Sequence, residues 1–455
     1  MTGTQATPAL RAAAQTESPA SPNPMQWHWL TRVGFRFFFA YFLLYNSSIF
    51  LRADGTYEQM WRAVVVWVGK HVLHLGYPVT FFTNGSGDTT SDYIRVFCYL
   101  ILGATACMVW SVLDRRRKEY GKFHRWLRIY VRLVLGAFLA YYGAGKVIKV
   151  QFPPIPLSTL VERYGDSSPM ALLWTMMEYS TPYTFFTGAV EMLAGILVLA
   201  PRLTMLGSLL GAAALGNVFM LNICYDVPVK LFSFHLLMMA VLLLAPDFRR
   251  LTSFFVLHRS LEAVPLRPLF SRRWMNRTLL GLQLAFAVLL PSIALLFSYQ
   301  FGNALGILGP KPPLYGIWSV EEFNFDGELR PVLVTDELRW QWVTIDRGRP
   351  ALVTVSLHKM NGEHQRYPLD LDLAKKRFDL NKPTDPTWKS QCRIEQQQPN
   401  WKAQFTIEQP QPEQIVLDGK MDGHQIHAKL RLQPEAKYLL QNRGFHWINE
   451  YPFNR

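Results

Sequence analysis

The stretch LNICYDVPVKLFSFHLLMMAVLLLAPDFRR occupies residues 221–250, and the fold turns on how it is read. Its second half is a run of leucine, methionine, alanine and valine that ends at Pro246, Asp247 and two arginines. Such a run fits a helix buried in a large core or one that crosses a bilayer. The polar residues at its head, Cys224, Asp226, Lys230 and His235, are costly in hydrocarbon unless they lie at its border or face a partner.

The rest of the chain decides for the bilayer. Counting this stretch as 229–245, apolar segments recur at 32–51, 93–113, 129–150, 183–200, 204–223 and 278–299. Seven segments near the length of a membrane-crossing helix define a polytopic membrane protein. Half of the 455 residues are apolar and only 18% are charged, which fits that class. The net charge of +14 comes from basic residues gathered between apolar runs. There they fix topology, and no motif supports nucleic-acid binding. Segments 61–75 and 169–179 are shorter and read as helices at the membrane interface. Cys98, Cys107, Cys224 and Cys392 have no C-x-x-C spacing, which argues against a disulfide framework or a cysteine zinc site.

The basic loops set the expected orientation. Residues 115–128 carry seven Lys or Arg, residues 247–277 carry seven arginines, and Arg202 lies in a short link between spans. With seven spans all three fall on one side, the cytoplasmic one. The N-terminus is then inside and the C-terminus outside, with the chain in the cell's inner membrane. Residues 1–24, rich in Ala, Thr, Ser and Pro, read as a disordered cytoplasmic tail.

Beyond residue 300 the pattern changes. Segments 351–358, 401–408, 414–420 and 425–432 alternate with period two, and Asn361-Gly362 and Asp422-Gly423 are tight hairpin turns. The expectation is an all-α polytopic domain over 25–300, a linker at 303–313, and an extracytoplasmic antiparallel β domain over 301–455. That domain is a meander or small barrel, periplasmic in a Gram-negative cell. The aromatic tail, residues 442–455, reads as its closing strand and plug.

Depth along the spans, at a rise of about 1.5 Å per residue, brings several polar groups into the outer leaflet. Glu191 is the deepest, and its carboxylate needs a partner there. Lys146 and Tyr142 come from the preceding span, Asn217 and Asn222 from the next, and Lys230 and His235 from the one after. Asp226 precedes Val227-Pro228 and reads as a helix cap. Together these residues outline a polar patch that opens outward. GAGK at 143–146 lacks the full phosphate-loop pattern and lies within a span. His71 and His74, three apart, are the nearest approach to a metal or haem pair; the chain shows no nucleotide, haem or metal motif.

The stretches RLVLGAFLAYYGAGKVIK, FFTGAVEMLAGILVLAPRLTMLGSLLGAAALGNVFMLN and LFSFHLLMMAVLLLAPD resemble the DoxX-like membrane proteins. Gly145-Lys146 and the setting Gly188-x-x-Glu191-x-x-x-Gly195 match that family's pattern. The resemblance covers residues 125–255 and implies a four-helix core with a link to quinone or thiol redox chemistry. It leaves the first two spans, the seventh span and the β domain outside.

Two functions fit these observations. One is a quinone-linked redox or redox-accessory role, in which a carboxyl, a lysine and a histidine manage protons beside a quinone. The alternative is a non-catalytic binding, transport or envelope-assembly protein whose β domain contacts a periplasmic partner.

Overall fold

The computed structural model describes residues 27–51, 54–81, 85–260, 268–348, 352–381, 403–434 and 437–453. Its helices, in chain order, are α1 (Trp29–Leu51), α2 (Gly55–His71), α3 (Thr90–Leu113), α4 (Gly121–Val147), α5 (Leu157–Val161) and α6 (Pro169–Tyr179). They continue with α7 (Thr181–Leu199), α8 (Thr204–Cys224), α9 (Lys230–Leu244), α10 (Phe248–Phe255) and α11 (Arg273–Ala304). Among the described residues, α1, α3, α4, α7, α8, the α9–α10 stretch and α11 are long and apolar enough to cross a membrane. The chain is a multi-pass membrane protein. The spans begin and end within a few residues of those expected, except that α4 starts earlier, at Gly121, and α11 extends at both ends, to Arg273 and to Ala304 inside the expected linker. Expected strands 351–358, 401–408, 414–420 and 425–432 correspond to strands named below. The tail 1–24 and Cys392 lie outside the described residues.

The chain divides into two units, one drawn from residues up to 68 with 94–129, the other from 69–93 with 130 onward. In the first, charges inside apolar helices are paired as burial demands. Arg36, 4% exposed, donates to the Tyr120 hydroxyl (2.7 Å), the Ser111 hydroxyl (2.9 Å) and the Asp114 carbonyl (3.1 Å). Arg95 grips both oxygens of Glu58 at 2.8 and 3.2 Å.

In the second unit α4 and α7 touch backbone to backbone. A Cβ on Gly143 would lie 2.6 Å from the Gly188 carbonyl oxygen, and one on Gly195 would lie 3.0 Å from that of Gly136. Gly136 and Gly143 on α4, like Gly188 and Gly195 on α7, are seven residues apart, two helical turns, so each helix offers two glycines on one face where the partner comes close. Ser168 and Ser180 cap α6 and α7 by accepting from the N–H groups of Ala171 (3.1 Å) and Tyr183 (3.4 Å).

The β domain holds β1 (Gly316–Phe325), β2 (Glu328–Leu329), β3 (Trp340–Arg347), β4 (Val353–Lys359), β5 (His364–Asp372), β6 (Arg377–Leu380), β7 (Ala403–Gln411), β8 (Gln414–Met421) and β9 (His424–Gln433). Neighbours pair antiparallel, and β1 also pairs with β9, so eight strands close into an up-and-down barrel with β2 as an extra strand on β1. Alternate residues, among them Phe323, Val343, Ile345, Val355, Leu417 and Leu430, fill the interior. The turn at Asp422-Gly423 has positive φ at both residues (52° and 90°), as a two-residue hairpin requires. A further hairpin, Asp326-Gly327 (52° and 85°), joins β1 to β2.

The tail departs from expectation. Residues 442–453 form no strand, because β1 already closes the barrel on β9 and leaves β9 no free edge. Several contacts tie the barrel to the helical part of its unit. The Leu157 N–H donates to the Asp346 carboxylate (2.8 Å), the Arg347 guanidinium donates to the Ile307 carbonyl (3.1 Å), and the Arg163 guanidinium lies against Gly362.

Candidate functional site

Helices α4, α7, α8 and α9 of the second unit surround a cavity of about 400 Å³, and residues 151–177 complete its wall. The lining is mostly apolar; Phe138, Leu173, Trp174, Val190 and Phe232 are representative. Phe152 and Trp174 meet edge to face at 5.3 Å, which fixes the wall between α6 and the segment after α4.

Lys146 and Glu191 supply the charge. The Lys146 ammonium donates to both Glu191 oxygens, at 2.8 and 2.7 Å, and the residues are 5% and 4% exposed. The paired glycines bring α4 and α7 close enough for this bridge: a Cβ on Gly188 would lie 2.7 Å from the Lys146 Cβ. A charge in such surroundings is tolerable only with a partner. The remaining polar wall includes Tyr142, Asn217, Asn222, Ser233 and Gln151. Asn222 donates to the Ser233 hydroxyl at 3.0 Å and so joins α8 to α9. The Gln151 Oε1 is buried without a hydrogen-bond partner, and a buried acceptor left open in this way calls for a donor.

Of the eight residues proposed from sequence, the structure brings Tyr142, Lys146, Glu191, Asn217 and Asn222 to the cavity wall, and leaves three away from it. His235 is buried, with Nδ1 2.6 Å from the Leu231 carbonyl. On a helix turning about 100° per residue, it falls off the face shared by Phe232, Ser233 and Leu236. Asp226 does not cap α9; it is exposed, with φ of 50°, and pairs with Lys230 at 2.8 Å. Asp88 is the cap: its two oxygens accept from the backbone N–H groups of Lys230 (2.7 Å) and Leu231 (2.9 Å). The cavity rim beside this pair is apolar, built from Val227 and Val229. His71 and His74 cannot share a helix face, because α2 ends at His71 and His74 has φ of 49°.

Asp88, Gln151 and Ser233 were not singled out from the sequence. Asp88 opens DTTSD, a run rich in capping residues, which was the available signal. Gln151 carries none, since it follows its span in an ordinary loop.

No protein-family model matches the chain. No solved structure matches it either. A Bacillus subtilis (strain 168) protein described as "Uncharacterized protein YwoB" is 30% identical over 139 residues, which span 30% of this chain and 88% of that protein. On that match, the chain belongs to the family of the uncharacterized protein YwoB.

Proposed function

We propose that the cavity binds a small, largely apolar ligand carrying a polar ring, with a quinone as the favoured class, in a DoxX-like membrane protein with a redox or redox-accessory role. The single observation that carries this reading is a cavity of about 400 Å³, with apolar walls and one buried Lys146–Glu191 pair. Its volume lies in the range of small-molecule sites, and a few converging polar groups in an apolar wall are their usual chemistry. Lys146, Tyr142 and Asn217 supply donors for a ligand carbonyl, and Gln151 supplies an acceptor for a ligand hydroxyl. The basic loops favour an inner-membrane protein with the N-terminus in the cytoplasm and the β domain outside.

A second reading, a non-catalytic binding, transport or envelope-assembly protein, rests on the engagement of Glu191. Both its oxygens are held by Lys146, so the carboxylate stands as a structural partner rather than a free proton carrier. Purification in mild detergent, solvent extraction and redox-difference spectroscopy test the first reading. The outcome expected is co-purified quinone, together with quenching of tryptophan fluorescence by a short-chain quinone, weakened several-fold in Lys146→Gln. Purified protein that carries no quinone and shows no quenching removes the quinone reading.

A further inference from the structure

We infer that residues 439–453 form an anchor that lies on the lipid surface beside the exit of α11. The stretch LLQNRGFHWINEYPF is organised around its own contacts. The Arg443 guanidinium sits 4.3 Å from the centre of the Phe453 ring and donates to the Asn449 side chain at 2.7 Å; Asn449 in turn donates to the His446 carbonyl at 3.1 Å. Braced in this way, the loop turns its large apolar side chains outward. Phe445, Trp447, Ile448 and Tyr451 are 76%, 91%, 78% and 84% exposed. Taking such apolar surface out of water is favourable, so a fixed cluster of four is a surface that needs covering.

Its position selects lipid as the cover. Strand β9 ends at Gln433, which is in register with Ile317 at the start of β1. That end of β1 is joined by residues 305–315 to the last turn of α11 at Ala304, and the Arg347 guanidinium holds the Ile307 carbonyl there. The tail therefore leaves the barrel at the end tied to a membrane-crossing helix. At up to about 3.3 Å per residue, it reaches the helix exit with length to spare. Its composition suits that place. Trp and Tyr rings favour the headgroup level, and within 439–453 Arg443 and Glu450 balance, so no net charge opposes lying on the lipid surface. A further cation–ring contact lies just before β1, Lys311 on Tyr315 (4.4 Å).

The test uses the full chain in vesicles of phosphatidylcholine and phosphatidylglycerol. A nitroxide is placed through Ile448→Cys, or through Asp422→Cys in the hairpin at the opposite barrel end, each in a Cys224→Ser, Cys392→Ser background. Collision rates with oxygen and with a water-soluble nickel chelate report the depth of the label. The anchor requires an oxygen-to-nickel ratio at 448 several-fold above that at 422. It also requires that Trp447→Ser with Tyr451→Ser bring the ratio at 448 down to that at 422 without changing thermal unfolding. A label at 448 as open to nickel as the one at 422 overturns the inference. So does a label shielded from both reagents, which marks a protein contact, or a ratio unmoved by the double substitution.

Discussion

Lys146 and Glu191 show what a residue-level reading of a span can and cannot deliver. Counting from the span ends gives depth, so a carboxylate far from either end at position 191 stood out at once. Counting does not give azimuth with enough accuracy to say which lysine faces it. Three lysines, Lys146, Lys149 and Lys230, lie near the ends of α4 and α9, and each finds a different carboxylate: Glu191, Glu178 and Asp226. The difference among them is burial. Asp226 is a surface partner and adds little, whereas removing one member of the Lys146–Glu191 pair strands a charge away from water. Lys146→Met is therefore expected to cost about 3–5 kcal/mol, read as a lower thermal midpoint in detergent. Adding Glu191→Met to it recovers most of that loss, since the pair can be exchanged for apolar packing. A double variant as unstable as the sum of the single ones would show that the two side chains are not coupled.

At the scale of elements, the spans and turns were legible because their signals are local: a run of apolar residues, or a Gly after Asn or Asp. The start of α9 was not, because its cap comes from residue 88, more than a hundred positions upstream. Asp226 was the local candidate and the wrong one; with φ of 50° it forms the turn before the helix instead. Asp88→Ala is expected to destabilise the protein by about 1–2 kcal/mol, while Asp226→Ala stays within about 0.5 kcal/mol. Thermal unfolding of the two variants checks this, and equal losses would contradict the cap assignment. Glycines separate in the same way. Gly143 and Gly216 look alike in sequence, yet a Cβ at Gly143 meets the Gly188 carbonyl while one at Gly216 meets nothing within 4 Å. Gly143→Ala is thus expected to force α4 from α7 at a cost of about 1–3 kcal/mol, with Gly216→Ala close to neutral.

For the whole molecule, the strands were legible one by one but their closure was not. The β1–β9 pairing joins residues over a hundred apart, and a bulge between Val320 and Glu322 breaks the alternation that would have marked β1. The covering of the barrel side was not legible either: period-two alternation does not reveal that the outer face of β3 and β4 is buried. Thr344, Thr354, Ser356 and His358 are all buried, although they alternate with the interior residues. His358 stacks on His364 at 5.2 Å, and its Nε2 has no partner. Burial, helped by His364, holds its pKa down at about 3 against an ordinary 6.5. The unfolded chain therefore takes a proton at this site below pH 6.5 while the folded barrel refuses it. Stability from His358 is complete above 6.5 and falls as pH drops toward 3, by up to about 1.4 kcal/mol per pH unit. Asp346, on the same face, acts with the opposite sign: burial raises its pKa, so its contribution is greatest in acid and is lost as pH rises. Comparing wild type with His358→Gln cancels the Asp346 part. The thermal midpoint of the variant is expected to rise steadily relative to wild type from pH 6.5 to pH 4, with no relative change between pH 7 and 8. A gap that stays flat across the acid range would mean that His358 accepts its proton without loosening the barrel.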